Sequence, residues 1–159
     1  MNKISARVMA AISAASISIA GTMLVDLEGV EYTPYYDVAG VLTVCYGHTG
    51  PDIVLDKVYT EQECRALLDT DLKRIANQID KHITVTPSVT QRAGLYSFAY
   101  NVGAGAFIRS TLLKKLNAGD FIGACDEMHR WVFAAGKKWK GLMNRREVEV
   151  AVCGYASGT

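Results

Sequence analysis

The residues best suited to chemistry fall within one stretch, residues 27–50, LEGVEYTPYYDVAGVLTVCYGHTG. Glu28 and Asp37 stand nine positions apart, with Tyr, Pro and Gly dense between them. Thr43 follows six residues later, and then Cys45, Tyr46, Gly47 and His48. Cleavage of a glycosidic bond uses such a set: one protonated carboxyl donates to the leaving oxygen while a second, ionised, works on the opposite face of the sugar. Two acids at this separation also occur as ordinary solvated charges, so the residue types alone leave both readings open.

The order and spacing are more specific. E-x8-D-x5-T with Gly-His following resembles the phage-type lysozymes, glycoside hydrolases that cut the peptidoglycan backbone, and the resemblance covers residues 25 to about 153. It implies Glu28 as the general acid, with Asp37 and Thr43 positioning or activating the attacking water. The implied reaction is hydrolysis between N-acetylmuramic acid and N-acetylglucosamine, with inversion, without metal or cofactor. Inversion places the two carboxyl groups about 6.5–9.5 Å apart. The implied fold is α+β and mainly helical: a two-lobed lysozyme with a small β-hairpin lobe (residues 26–59), a long linking helix and a helical lobe (residues 60–159). Residues 97–107, SFAYNVGAGAF, resemble the family's cleft-lining segment, which makes Asn101 a candidate for a saccharide hydrogen bond. Its bland alternative is capping of the helix end before Gly103. The run after Gly141 resembles the family's GL-x-x-RR-x-x-E pattern, with Glu149 as its last acid, and implies an arginine near the catalytic acid. Arg145 is the choice and Arg146 the alternative. An ion pair favours an ionised carboxylate, whereas a general acid must keep its proton, so Arg145 must act chiefly by orientation or be outweighed by apolar surroundings. His48 reads as structural support for the hairpin, paired with Asp71 as the family's corresponding groups tend to be.

Residues 8–25, VMAAISAASISIAGTMLV, precede the site by three positions and carry no charge; Lys3 and Arg7 are the only charges before Asp26. As a helix they span about 27 Å, barely the roughly 30 Å of a bilayer core. Ten of the eighteen are Ala, Ser, Gly or Thr, so insertion is only weakly favourable. Residues 1–25 resemble the signal-anchor-release segment of endolysins from lambdoid phages and prophages. That resemblance implies export by the host secretion machinery and tethering in the inner membrane facing the periplasm. Release to the periplasm on loss of the membrane potential would follow, in cooperation with a holin. The alternatives are a cleaved signal peptide ending at Ser18-Ile19-Ala20, and a permanent span.

The remaining elements must hold the site. Residues 35–38 and 42–46 read as strands joined through Ala39-Gly40, with Val58-Tyr59 as a third. Thr60 and Glu63 form a capping box that opens a long helix with Cys64, Leu67, Leu68, Leu72, Ile75 and Ile79 on its apolar face. Ser88 and Gln91 open a second helix, apolar on more than one side and therefore central. Further helices are expected over residues 110–117, over 121–133 behind Asp120, and over 142–153. A basic loop at 134–140 separates Trp131 from Trp139, both read as core.

Formal net charge is only +1, which gives no reason to expect nucleic acid, and 159 residues suit one compact domain expected as a monomer. The charge is uneven. Residues 26–80 carry eleven acids against four bases, and residues 109–146 nine bases against three acids, a face to which an anionic polymer such as a cell wall is drawn. Cys45, Cys64, Cys125 and Cys153 lack zinc-site spacing and allow two disulfides in three connectivities, or four buried thiols. The lysozyme resemblance favours Cys45 with Cys64 and Cys125 with Cys153. Two rival functions stand beside the hydrolase: a lytic transglycosylase, for which Asp37 and Thr43 are dispensable, and a membrane-tethered wall-binding module with a dead site.

Overall fold

The computed structural model describes residues 5–155; Lys3, part of the positive flank expected to set topology, lies outside them. Helix α1 (Ala6–Glu28) opens with the Ser5 hydroxyl accepting from the Val8 N–H and runs past residue 25 without a break. It buries one narrow stripe, Ser16, Ile17, Ala20, Met23 and Leu24, against α3 (Val89–Val102) and α2 (Glu61–Asp80). Small residues on that stripe allow close approach, and the Ser16 hydroxyl donates across it to the Val89 carbonyl at 2.9 Å. Between Ala10 and Val25 the exposed residues are Ala10, Ala11, Ala14, Ala15, Ser18 and Thr22.

The small lobe is an antiparallel sheet of β1 (Glu31–Tyr36), β2 (Leu42–Cys45) and β3 (His48–Thr49) in that order. Pro34 is accommodated because β1 is an edge strand. The third strand is not Val58-Tyr59. Gly47, at φ 80°, reverses the chain directly after β2 and pairs Val44 with His48. Tyr59 gives β1 a single bond, its N–H to the Tyr32 carbonyl, and turns its ring inward.

Thr60 and Glu63 cap α2 reciprocally, and Ser88 and Gln91 do the same for α3. Helix α3 is the centre of the helical lobe, burying residues 92–99 without interruption. At Gly94 it meets α7 (Lys140–Cys153) so closely that a Cβ would stand 2.9 Å from Cys153 Cβ and 3.0 Å from the Glu149 carbonyl oxygen. Helices α4 (Ala104–Ile108), α5 (Thr111–Asn117) and α6 (Phe121–Asp126) complete the lobe.

The expected helix over 121–133 stops early. After Asp126 the chain tightens into a 3-10 turn, Glu127–Arg130, and the Trp131 carbonyl is taken by Arg146 Nε instead of a helical N–H. The basic loop is in fact a hairpin, β4 (Phe133–Ala134) and β5 (Lys137–Lys138). Ala135 and Gly136 both have positive φ, as a two-residue turn requires. Trp131 packs edge-on against Phe98, as a core residue does. Trp139 does not: it is half exposed, its indole N–H held by the Ala134 carbonyl. Disulfides join Cys45 to Cys64, fastening β2 to α2, and Cys125 to Cys153, fastening α6 to α7.

Candidate active site

Glu28 is the last residue of α1. Gly29 turns the chain away at φ 66°, so the carboxyl stands at the mouth of a pocket of about 450 Å³ lined also by Val30, Glu31, Tyr35, Cys45 and Gly47. Its Oε1 accepts from Arg145 Nη1 at 2.7 Å. Oε2 lies toward Gly47, where a Cβ would stand 3.6 Å away. Gly47 is required by its left-handed turn, not by the acid, with which a Cβ would make only an ordinary contact.

Asp37 sits in the turn between β1 and β2. Its Oδ1 accepts from the Ala39 and Val41 N–H groups, both at 2.9 Å, so the side chain that would act on water also builds the turn. Thr43 is buried in β2 and its hydroxyl donates to the Val41 carbonyl at 2.9 Å. Neither residue lines the Glu28 pocket. Tyr35 connects them. Burial raises its phenol above the ordinary value, and the negative charges of Glu31, Asp37 and Glu28 add to the effect.

Behind the pocket the sheet is tied down by polar and titratable side chains. His48 is buried, with Nδ1 2.7 Å from Asp71 Oδ2 and Nε2 3.0 Å from Asp52 Oδ1. Burial opposes its charge, but the bonds to Asp71 and Asp52 prevail and hold the imidazole above its ordinary value. Tyr100 on α3 donates to the Tyr46 carbonyl at 2.7 Å; burial, then the nearby Asp71 and Glu28 charges, hold its phenol well above normal. Glu61, in the first turn of α2, accepts from Tyr46, Arg65 and Tyr32, which push its carboxyl down to about 2. Cys45 adopts φ 63°. That left-handed backbone costs a non-glycine residue about 1–2 kcal/mol, and the bond to Cys64 fixes the segment there.

Asn101 is exposed at the end of α3, and its Oδ1 accepts from Arg146 Nη2. The helix end is closed by the Gly103 N–H to the Ala99 carbonyl. Glu149, Tyr35, Tyr100 and Glu61 are the residues that sequence reasoning left without a role. For Glu149 the signal was available: it lies three and four residues beyond Arg146 and Arg145, the spacing at which helical side chains meet. Among the described residues no group of His, Cys, Asp or Glu is placed to hold a metal ion.

An acid closing a long helix, gripped by a distant arginine beside a small sheet, on a helical body, defines a glycoside hydrolase of the lysozyme kind. The family model Phage lysozyme matches residues 25–149, and the chain belongs to that family. It is 59% identical over 152 residues to the SAR-endolysin of Bacteriophage PS119, covering 92% of this chain and 91% of the relative. It is 53% identical over 152 residues to the SAR-endolysin of Enterobacteria phage P21, with 92% of each covered. Among solved structures, a P22 lysozyme mutant superposes with a TM-score of 0.75 at 29% identity, covering 96% of this chain and 98% of that one.

Proposed function

We propose that the chain is a muramidase that hydrolyses the β-1,4 bond between N-acetylmuramic acid and N-acetylglucosamine in peptidoglycan. The observation that carries this reading is the setting of Glu28, three-quarters shielded, held by Arg145 on one oxygen and open to the pocket on the other. Glu28 gives its proton to the glycosidic oxygen as the bond to the anomeric carbon breaks. A water attacks that carbon from the opposite face and loses a proton to Asp37. Thr43, whose own proton is committed to the Val41 carbonyl, offers lone pairs that orient the water. Asn101, at the cleft end of α3, binds saccharide. Removing a general acid or base costs about 10²–10⁴-fold, so Glu28→Gln and Asp37→Asn must each lose lysis of purified sacculi to that extent. Full activity in Glu28→Gln would sink the mechanism. Mass spectrometry of the digest decides the bond chemistry: reducing ends are expected, and 1,6-anhydro ends would identify a lytic transglycosylase instead.

The same reading makes residues 8–25 a releasable anchor, inserted in the host inner membrane by the secretion machinery and freed into the periplasm after a holin collapses the potential. Helix α1 is long and apolar enough to cross a membrane. Its larger buried side chains, Ile17, Met23 and Leu24, face the body, while the exposed residues from 10 to 25 are alanine, serine and threonine, tolerable in water and lipid alike. With α1 in the bilayer, Glu28 is held at the membrane surface, away from Arg145. Added protonophore must move the uncleaved protein from the membrane to the soluble fraction. Retention, or a fragment beginning near Gly21, would reject release.

A further inference from the structure

Behind the pocket two acids and two arginines alternate: Glu28, Arg145, Glu149, Arg146. Glu149 is fully buried, accepting from Ser97 Oγ at 2.9 Å, Arg145 Nε at 3.1 Å and Arg146 Nη1 at 2.6 Å. A general acid beside an arginine faces a conflict, because the cation favours loss of the proton that must be delivered. We propose that Glu149 is a positioning residue for the hydrolysis: it balances the charge of Arg145 and pins its guanidinium so that one N–H alone reaches Glu28. The inference rests on Glu28 being the general acid.

The geometry supports both parts. A guanidinium facing a lone carboxylate grips it with two parallel N–H bonds. Here Nε is committed to Glu149 and Nη1 to Glu28, while Nη2 is buried without a partner. The fork is thereby turned, and Glu28 keeps Oε2 toward the pocket. Arg146 completes the balance, fixed by the Trp131 carbonyl, Asn101 Oδ1 and the Phe98 ring 5.0 Å beneath it. Its own burial pulls it below the ordinary arginine value, against the opposing effect of Glu149. The other ionisable groups around Glu28 are acids and phenols: Glu31 and Tyr35 on β1, Asp37 in the turn, and Tyr100 on α3 with Asp71 behind it. On α1 itself, Asp26 faces a separate cavity beside Val148. Arg145 is the one cation bonded to Glu28 among the described residues, so its effective charge decides how strongly the acid is drawn to ionise.

The test is the pH dependence of initial rate of the full-length protein on sub-saturating purified sacculi, each variant divided by wild type at the same pH. Glu149→Gln keeps the shape and removes the charge. Its alkaline limb is expected to fall earlier by about one pH unit, so the ratio drops about tenfold across that limb. Arg146→Gln leaves all of the Glu149 charge on Arg145 and must shift the limb the other way, the ratio rising with pH. Glu149→Asp, which keeps the charge but not the reach, lowers the rate without moving the limb. A merely structural role lowers every rate in proportion at all pH values. A flat ratio for Glu149→Gln, or shifts of the same sign in it and Arg146→Gln, overturns the proposal. If Glu149→Gln does not fold, a flat or falling ratio in Arg146→Gln overturns it alone. An active Glu28→Gln sinks the general-acid reading and this inference together, whereas an inactive Glu28→Gln with flat ratios sinks only the latter.

Discussion

If α1 is shared between lipid and protein, its outward face tunes the sharing without touching the folded body. Ala10, Ala11, Ala14 and Ala15 are all exposed in the folded protein, outside the buried stripe. Leucine at a membrane-helix centre favours insertion by about 0.3–0.6 kcal/mol, so with alanine taken as neutral the four substitutions add about 1–2.5 kcal/mol. That is about 5- to 60-fold in partition at about 1.4 kcal/mol per decade. Exposed helical positions change folding stability by no more than about 0.5 kcal/mol each, and leucine is nearly as good a helix former as alanine. The fourfold Ala→Leu variant should therefore stay in the membrane pellet after protonophore treatment, delaying lysis, while its detergent-extracted form unfolds at the wild-type temperature. Ala20→Leu is the contrasting case. Ala20 is fully buried beneath α3, and an added isobutyl group there overpacks the contact at about 1–3 kcal/mol. It must lower the melting temperature as well as raise retention. Unchanged release in the fourfold variant would refute the idea that the outward face of α1 sets the partition.

Three further outcomes are expected. Replacing Cys125 and Cys153 by serine opens a link across a sequence separation of 28 residues; loop entropy puts the loss at about 3–4 kcal/mol, or about 6–16 °C in a thermal scan. No difference between the variant and wild type under oxidising conditions would contradict the bridge. Gly94→Ala drives a Cβ against Cys153 and the Glu149 carbonyl, and denaturant titration should register about 1–3 kcal/mol of lost stability. His48 holds its proton above the ordinary range through Asp71 and Asp52, so the stability it adds is complete below about pH 6.5 and is lost as pH rises through its folded value. In His48→Asn the melting temperature should fall most at pH 5 and least at pH 8; a deficit independent of pH would rule out a charged imidazole.

Where one signal dominated locally, the sequence was legible. Thr60 with Glu63 and Ser88 with Gln91 fix two helix starts through side chains within three residues. Glu28 and Arg145 are 117 residues apart and were joined through family resemblance, not through any pattern in the chain. What stayed hidden depended on partners supplied from elsewhere. Val58-Tyr59 has strand-like composition, but β2 gives its free edge to His48 after the Gly47 turn. Residues 127–133 have helical residue types, yet Arg146 takes the Trp131 carbonyl and the chain leaves the helix. Trp139 is apolar enough for a core, but the positive-φ pair Ala135-Gly136 carries it out on a hairpin.

Helix α1 also explains where the covalent links lie. Its stripe is narrow and two of its five residues, Ser16 and Ala20, are small, so it buries less apolar surface than a helix of 23 residues ordinarily would. Neither disulfide touches it: one fastens β2 to α2 and the other α6 to α7. The body that receives α1 is thus stapled independently of it. Within that body Glu149, itself bonded to Ser97, holds Arg145 through a contact that does not involve α1. On the proposed release, docking of α1 has one chemical consequence, the arrival of Glu28 at that guanidinium. Any substitution that weakens the α1–α3 contact should lower the fraction of active molecules, while those molecules that do dock turn over at the wild-type rate.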